Sequence, residues 1–176
     1  MDSFWLNSAF YQAFRSLGNT GKNPAVGCVI VNNREIVGIG ATSENGRPHA
    51  EENAIKMAGK KILGSTIYLT LEPCNLLDNH FSCTKQIIQS GIKKVVIGTL
   101  DPNPLTYKKG YNELVKKGIN VVLKKISYHN FFINYSQLCI HFNNRPMIGL
   151  KMALSLDGNI TNSNIENQWI TSKFSR

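Results

Sequence analysis

The sequence predicts a three-layer α/β domain: a five-stranded mixed sheet with helices on both faces. Two observations predict it. Short apolar, β-branched runs alternate with amphipathic stretches along most of the chain. The first two of these runs are joined by a tight polar turn, as in an antiparallel hairpin. The later ones are separated by helical stretches, as parallel neighbours require.

Each element has its own signal. Residues 3–17 place Phe4, Ala9, Phe10, Ala13, Phe14 and Leu17 close to helical period, and Gly18 ends that helix. Residues 25–31 read as a strand and residues 35–40 as its hairpin partner. Asn32-Asn33 between them tolerates left-handed dihedrals. A loop follows to Pro48. Residues 49–59 read as a helix with Ala50, Ala54, Met57 and Ala58 on one stripe. Residues 66–71 form a strand, and residues 84–90 a short helix stopped by Gly91. Residues 94–98 are the next strand, and Asp101-Pro102-Asn103-Pro104 is turn chemistry. A helix over 105–117 is closed by Gly118. A strand over 120–123 and a long aromatic-rich helix over 127–142 complete the order.

Residues 145–176 break the pattern. Residues 147–154 read as a strand and Asp157-Gly158 as a hairpin turn. A segment of about 30 residues is shorter than the ~40 that usually fold unaided. The expected organisation is one domain over 1–144 and an incomplete second segment over 145–176.

Composition excludes several classes. The chain has 176 residues, 42% hydrophobic and 18% charged, which suits a packed core and argues against disorder. Its longest apolar runs, such as 25–31, fall far short of the ~20 residues of a membrane span. Met1-Asp2-Ser3-Phe4 lacks the basic and apolar regions of a secretory signal, so a cytoplasmic location is expected. The net charge of +9 raises a nucleic-acid partner. Yet 15 of the 20 basic residues are lysines, scattered mostly as pairs, beside 20 asparagines and 18 isoleucines. A bias towards A- and T-rich codons accounts for that mixture, and no nucleic-acid partner is expected.

Four cysteines remain to be placed. Cys28 and Cys139 lie in apolar surroundings and read as small core residues. Cys74 and Cys83 flank a polar loop. Cys74 follows a strand in Glu72-Pro73-Cys74, and Cys83 begins a helix. Pro48-His49-Ala50-Glu51 begins another. One imidazole and two thiolates make a three-ligand set for one Zn²⁺ ion, with the fourth position left to water. Thiolates are favoured at helix starts. Glu51, two residues from His49, is turned away from it along the helix. There it sits beside the open position, as a general acid/base rather than a ligand. A structural zinc closed by His80, within the inter-cysteine loop, is the alternative. His-x-Glu followed by Pro-Cys and a second Cys is similar to the signature of zinc-dependent nucleobase deaminases.

The spacing narrows the resemblance. Eight residues separate Cys74 from Cys83, unlike the Cys-x-x-Cys of many such deaminases. Pro-Cys-x8-Cys resembles the deaminase half of the riboflavin-pathway deaminase/reductase (RibD-type) family. So do Asn23-Pro24-Ala25-Val26-Gly27 and Asp101-Pro102-Asn103-Pro104. Residues 150–158 and Gln168-Trp169-Ile170-Thr171 resemble the opening of that family's reductase half. The resemblance implies a cytidine-deaminase-like fold, with zinc on His49, Cys74 and Cys83 and Glu51 as proton shuttle. It implies a small-molecule pyrimidine ribotide as substrate, the diaminopyrimidinone ribosylamine phosphate, deaminated with release of ammonia. Asn23 would hydrogen-bond the base, and Asp101 and Asn103 would face the ribose phosphate. Self-association, or a separate reductase subunit, is a further expectation. Reductase activity from residues 145–176 is not expected.

This sequence also departs from the family. The inter-cysteine loop, residues 75–82, lacks the usual basic residue at Asn79 and carries Asp78, and Thr42 stands where the family tends to have His. These departures motivate two alternatives: a deaminase of another aminopyrimidine or nucleoside, and a catalytically impaired, zinc-stabilised relative.

Overall fold

The structure, a computed structural model, describes residues 1–75, 82–124, 132–160, 172 and 174. The chain divides into two compact units, Met1–Pro146 and Met147–Arg176. In the first unit the elements run α1 (Asp2–Ser16), β1 (Gly27–Asn32), β2 (Glu35–Ala41), α2 (Ala50–Ala58) and β3 (Thr66–Leu69). They continue with α3 (Cys83–Gln89), β4 (Lys94–Ile97), α4 (Lys109–Lys116), β5 (Asn120–Leu123) and α5 (Tyr135–Asn143).

The strands form one mixed sheet in the order β2-β1-β3-β4-β5. β1 is antiparallel to both β2 and β3, whereas β3, β4 and β5 are parallel. Side chains alternate between the two faces, as the pleat requires. Cys28, Ile30, Ile67, Leu69, Val95 and Ile97 pack with α2, α3 and α4. Val29, Val31, Tyr68 and Val96 pack with α1 and with Ile133, just ahead of α5. The strands are therefore apolar on both faces, and the predicted three-layer fold is the one observed.

Close backbone approach sets where α2 lies. A Cβ at Gly40 on β2 would overlap the Ala50 carbonyl oxygen at the start of α2. Ala50, Ala54 and Ala58 face the sheet and are almost fully buried. Met57 does not share that stripe as expected. It is 60% exposed, and its Sδ accepts a bond from the Ile39 amide at 3.4 Å. The stripe of α1 is likewise shifted. Leu6, Ala9, Phe10 and Ala13 are buried, while Phe4, Phe14 and Leu17 are exposed. A Cβ at Gly27 would overlap the Ala9 carbonyl, so the small residues at 9 and 13 mark the face that meets β1.

The hairpin turn falls one residue later than expected. Asn33 and Arg34 have positive φ, and Asn32 pairs with Glu35. Asn32 is held in the strand because its Nδ2 donates to the carbonyls of Lys61 and Leu63. α4 starts at Lys109, later than residue 105. Backbone amides of residues 105–107 are taken by Asn103, and that of Lys108 by Glu72. Of the long helix expected over 127–142, residues 125–131 lie outside the described residues, and α5 follows a single 3-10 turn, Phe132–Asn134.

In the second unit, residues 147–154 form no strand, because among the described residues nothing forms a ladder with them. The turn at Asp157-Gly158 is present, with Gly158 at φ 83° and the Gly158 and Asn159 amides bonded back to Ser155. Gln168-Trp169-Ile170-Thr171 lie outside the described residues.

Candidate metal centre

Three element ends converge on one point. His49 sits in extended conformation just ahead of α2, and the Glu52 side chain accepts its amide N–H at 2.9 Å. Cys74 lies five residues beyond the end of β3, and Cys83 is the first residue of α3. His49 Nδ1 lies 3.3 Å from Cys83 Sγ and 3.7 Å from Cys74 Sγ. All three ligand atoms fall within 4.8 Å of one another. With Zn–S near 2.3 Å and Zn–N near 2.0 Å, tetrahedral ligation separates N from S by about 3.5 Å. The donor set and its spacing fit zinc. The alternative fourth ligand, His80, lies outside the described residues, as do the departures at Asp78 and Asn79.

A hydrogen-bond cluster fixes the two thiols relative to each other. The carbonyl of Cys74 accepts from the Thr84 amide at 3.1 Å, from Thr84 Oγ1 at 2.9 Å and from Ser82 Oγ at 3.2 Å. Ser82 also accepts from the Lys85 amide, capping α3. Neither residue was singled out from the sequence, although Ser82 has the residue type and position of a helix cap.

The electrostatics follow from the same geometry. The hydrogen bond from the Cys83 thiol lowers the Cys74 pKa to about 4, with His49 adding to the effect, and the thiolate is the favoured form. Cys83 is pushed up, first by its bond to Cys74 and then by burial. Glu51 is 3% exposed. Burial raises its pKa to about 7, the charge of Cys74 adds to the rise, and its hydrogen bond with the Cys83 side chain opposes it. A carboxyl poised near neutrality takes and returns protons efficiently.

A cavity of about 840 Å³ opens onto this cluster, and His49, Glu51 and Cys74 line it. Asn23, Asp101 and Asn103 line it as well. Asn23 Nδ2 donates to the Gly46 carbonyl at 3.0 Å, joining the loops before β1 and before α2. Asp101 accepts from the Asn103 amide at 3.0 Å and from Thr106 Oγ1 at 2.6 Å. Asn103 Oδ1 accepts from the Leu105 amide. Thr42 Oγ1 accepts from the Val26 amide and donates to the Pro24 carbonyl, bracing the same wall. Glu72, buried below, accepts the amides of Asp101, Lys108 and Tyr111 and so fixes both the 101–103 turn and the start of α4.

Residues 1–99, which include the whole cluster, match the family model for the cytidine and deoxycytidylate deaminase zinc-binding region. The chain belongs to that deaminase family. Zinc is the cofactor of this family region, and His49, Cys74 and Cys83 are arranged to hold it. Among relatives of this zinc-deaminase chain, the riboflavin biosynthesis protein RibD of Aquifex aeolicus is 41% identical over 176 residues, 100% of this chain and 49% of that protein. The diaminohydroxyphosphoribosylamino-pyrimidine deaminase of Buchnera aphidicola subsp. Schizaphis graminum is 48% identical, covering 72% of this chain and 86% of that protein. A Thermotoga maritima structure, of a diaminohydroxyphosphoribosylaminopyrimidine deaminase joined to a phosphoribosylaminouracil reductase, matches 99% of this deaminase chain and 51% of its own. Its TM-score is 0.90 at 35% identity. The chain thus spans about half the length of the RibD proteins it matches. Among the described residues, no helix is long and apolar enough to cross a membrane.

Proposed function

We propose that this chain hydrolytically deaminates a small pyrimidine ribotide, the diaminopyrimidinone ribosylamine phosphate of riboflavin biosynthesis, releasing ammonia. The observation that carries the reading is the buried Glu51 carboxyl beside the His49–Cys74–Cys83 cluster, at the cavity that would admit the base. The name of the Buchnera deaminase, most of which this chain covers, supports the choice of substrate.

His49, Cys74 and Cys83 are assigned as the zinc ligands. When bound, zinc supplies a Lewis acid that makes a water molecule acidic near neutral pH. Glu51 accepts the proton of the attacking water and delivers it to the departing amino group, so that C–NH₂ and H₂O give C=O and NH₃. Asn23 keeps its Oδ1 free of partners among the described residues and is assigned to hold the base through it. Asp101 and Asn103 shape the ribose end of the cavity, each through a turn bond that fixes its own side chain. Residues 1–144 are assigned as the deaminase domain, and residues 145–176 as a reductase-like segment by similarity to the Thermotoga protein.

The test is ammonia release by zinc-loaded protein supplied with the ribotide. Turnover is expected. If ammonia comes instead from the free pyrimidine or a nucleoside, and not from the ribotide, the assigned substrate is wrong.

A further inference from the structure

The cavity is lined by basic side chains that the chemistry above does not use. Lys22 lies on the loop before β1, adjacent to Asn23. Arg47 lies on the loop before α2, and His141 lies on α5. All three line the cavity, although they come from three separate parts of the chain. Among the described residues, neither the Lys22 ammonium nor the His141 ring has a hydrogen-bond or ion-pair partner. Arg47 Nη1 pairs with Glu52 at 3.2 Å. A guanidinium has five N–H donors in a planar fork, so most of Arg47's capacity remains.

The acidic lining is differently placed. Glu72 is engaged by three backbone amides. Asp101 is engaged by the Asn103 amide and the Thr106 hydroxyl. Glu51 lies against Cys83. Glu72 and Asp101 are thus engaged by partners of their own, while Lys22, Arg47 and His141 keep unused donors facing no such partner among the described residues. The loop carrying Lys22 is also held to α5, because Gln137 Nε2 donates to the Lys22 carbonyl at 3.5 Å. Two of the three basic side chains therefore sit on segments that are bonded to each other.

We propose that Lys22, Arg47 and His141 are the specificity-determining residues that receive the phosphate of the ribotide. This rests on the deaminase reading above. A phosphate presents several acceptor oxygens, which suits one forked guanidinium, one ammonium and one ring N–H brought to one cavity by three segments of the chain. The three residues act on recognition and leave Glu51 and the metal ligands untouched. Nothing in the sequence marked them, because they are distant in the chain and each reads alone as an ordinary surface residue.

The experiment compares zinc-loaded wild-type protein with Lys22→Ala, Arg47→Ala and His141→Ala. Each is supplied with the ribotide and with its dephosphorylated riboside. Each substitution is expected to lower kcat/KM for the ribotide about tenfold, as for loss of one charge-assisted hydrogen bond. The riboside value should stay the same. Glu52→Gln, which breaks the Arg47 pair while keeping the guanidinium, is expected to retain the preference for the ribotide. Equal losses on both substrates, or no loss on the ribotide, overturn the proposal. A second arm measures calorimetric binding of ribose 5-phosphate, with ribose as control. Weaker binding of ribose 5-phosphate in Lys22→Ala and Arg47→Ala supports the phosphate site even if wild-type protein deaminates neither substrate. In that case the deaminase reading fails and the anion site stands. Unchanged binding in both variants overturns the site, whatever the turnover.

Discussion

Thr84 holds the backbone carbonyl of Cys74 twice, through Oγ1 at 2.9 Å and through its amide at 3.1 Å. Eight residues separate the two cysteines, and this junction brings the start of α3 onto the segment that follows β3. Removing the hydroxyl leaves the amide bond but loosens the Cys74 backbone. Thr84→Val is expected to weaken zinc binding about tenfold, the usual scale for groups that orient ligands. Competition with a chromophoric chelator measures it, and unchanged affinity would show that the amide alone suffices.

Glu72 is a structural acceptor for two segments of the cavity wall. Its Oε2 takes the amides of Asp101 and Lys108, and its Oε1 takes that of Tyr111. Glu72→Gln must turn an N–H₂ towards at least one of these donors. The expected loss is about 2–3 kcal/mol, the cost of an unsatisfied buried donor. Urea unfolding monitored by circular dichroism checks it, and a change below the error of the method would contradict the assignment.

Gly40 meets α2 backbone to backbone. A methyl group there would overlap the Ala50 carbonyl, so α2 must shift away from β2. Gly40→Ala is expected to cost on the order of 2 kcal/mol. Because α2 starts beside His49 and carries Glu51, activity should fall as well. A variant with lowered thermal stability and full activity would mean that α2 moves without disturbing the cluster.

Asp2 ties α1 to the sheet. Lys94 Nζ donates to its Oδ2 at 2.8 Å and Tyr68 Oη donates to its Oδ1 at 3.1 Å. The Lys94 bond, opposed by partial burial, holds the Asp2 carboxyl below its ordinary value of 3.8. A carboxyl depressed in the folded state stabilises it above the unfolded pKa, and that stability is lost as pH falls through the folded value. Asp2→Asn should therefore lower the thermal midpoint at pH 7, and the difference should shrink as pH falls below 3.8 through the folded-state value. A destabilisation that stays the same at every pH would assign the effect to packing.

Much of the site was legible because its residues sit at element ends. His49 precedes α2, Cys83 begins α3, and Cys74 follows β3 by five residues, so local pattern marked all three, and the fold brings their ligand atoms within 4.8 Å of one another. Asn120–Leu123 was legible for the same reason, with Gly118 just before it. The features that were not legible depend on distant partners. The hairpin turn moved to Asn33-Arg34 because Asn32 is held by carbonyls near residue 62, and α4 begins late because Glu72 takes the Lys108 amide. Met57 and Phe14 fit helical period but lie on the wrong side of faces set by close glycine contacts. The basic lining of the cavity has no sequence pattern, since only the fold brings positions 22, 47 and 141 to one cavity.

Glu51 carries the proposed proton transfer. Glu51→Gln keeps the shape of the side chain and removes its capacity to move a proton. Zinc content and ammonia release from the ribotide are to be measured on the same sample. The predicted result is one equivalent of zinc retained and turnover reduced on the order of a thousandfold. Zinc retained with wild-type turnover would contradict the assigned role of Glu51.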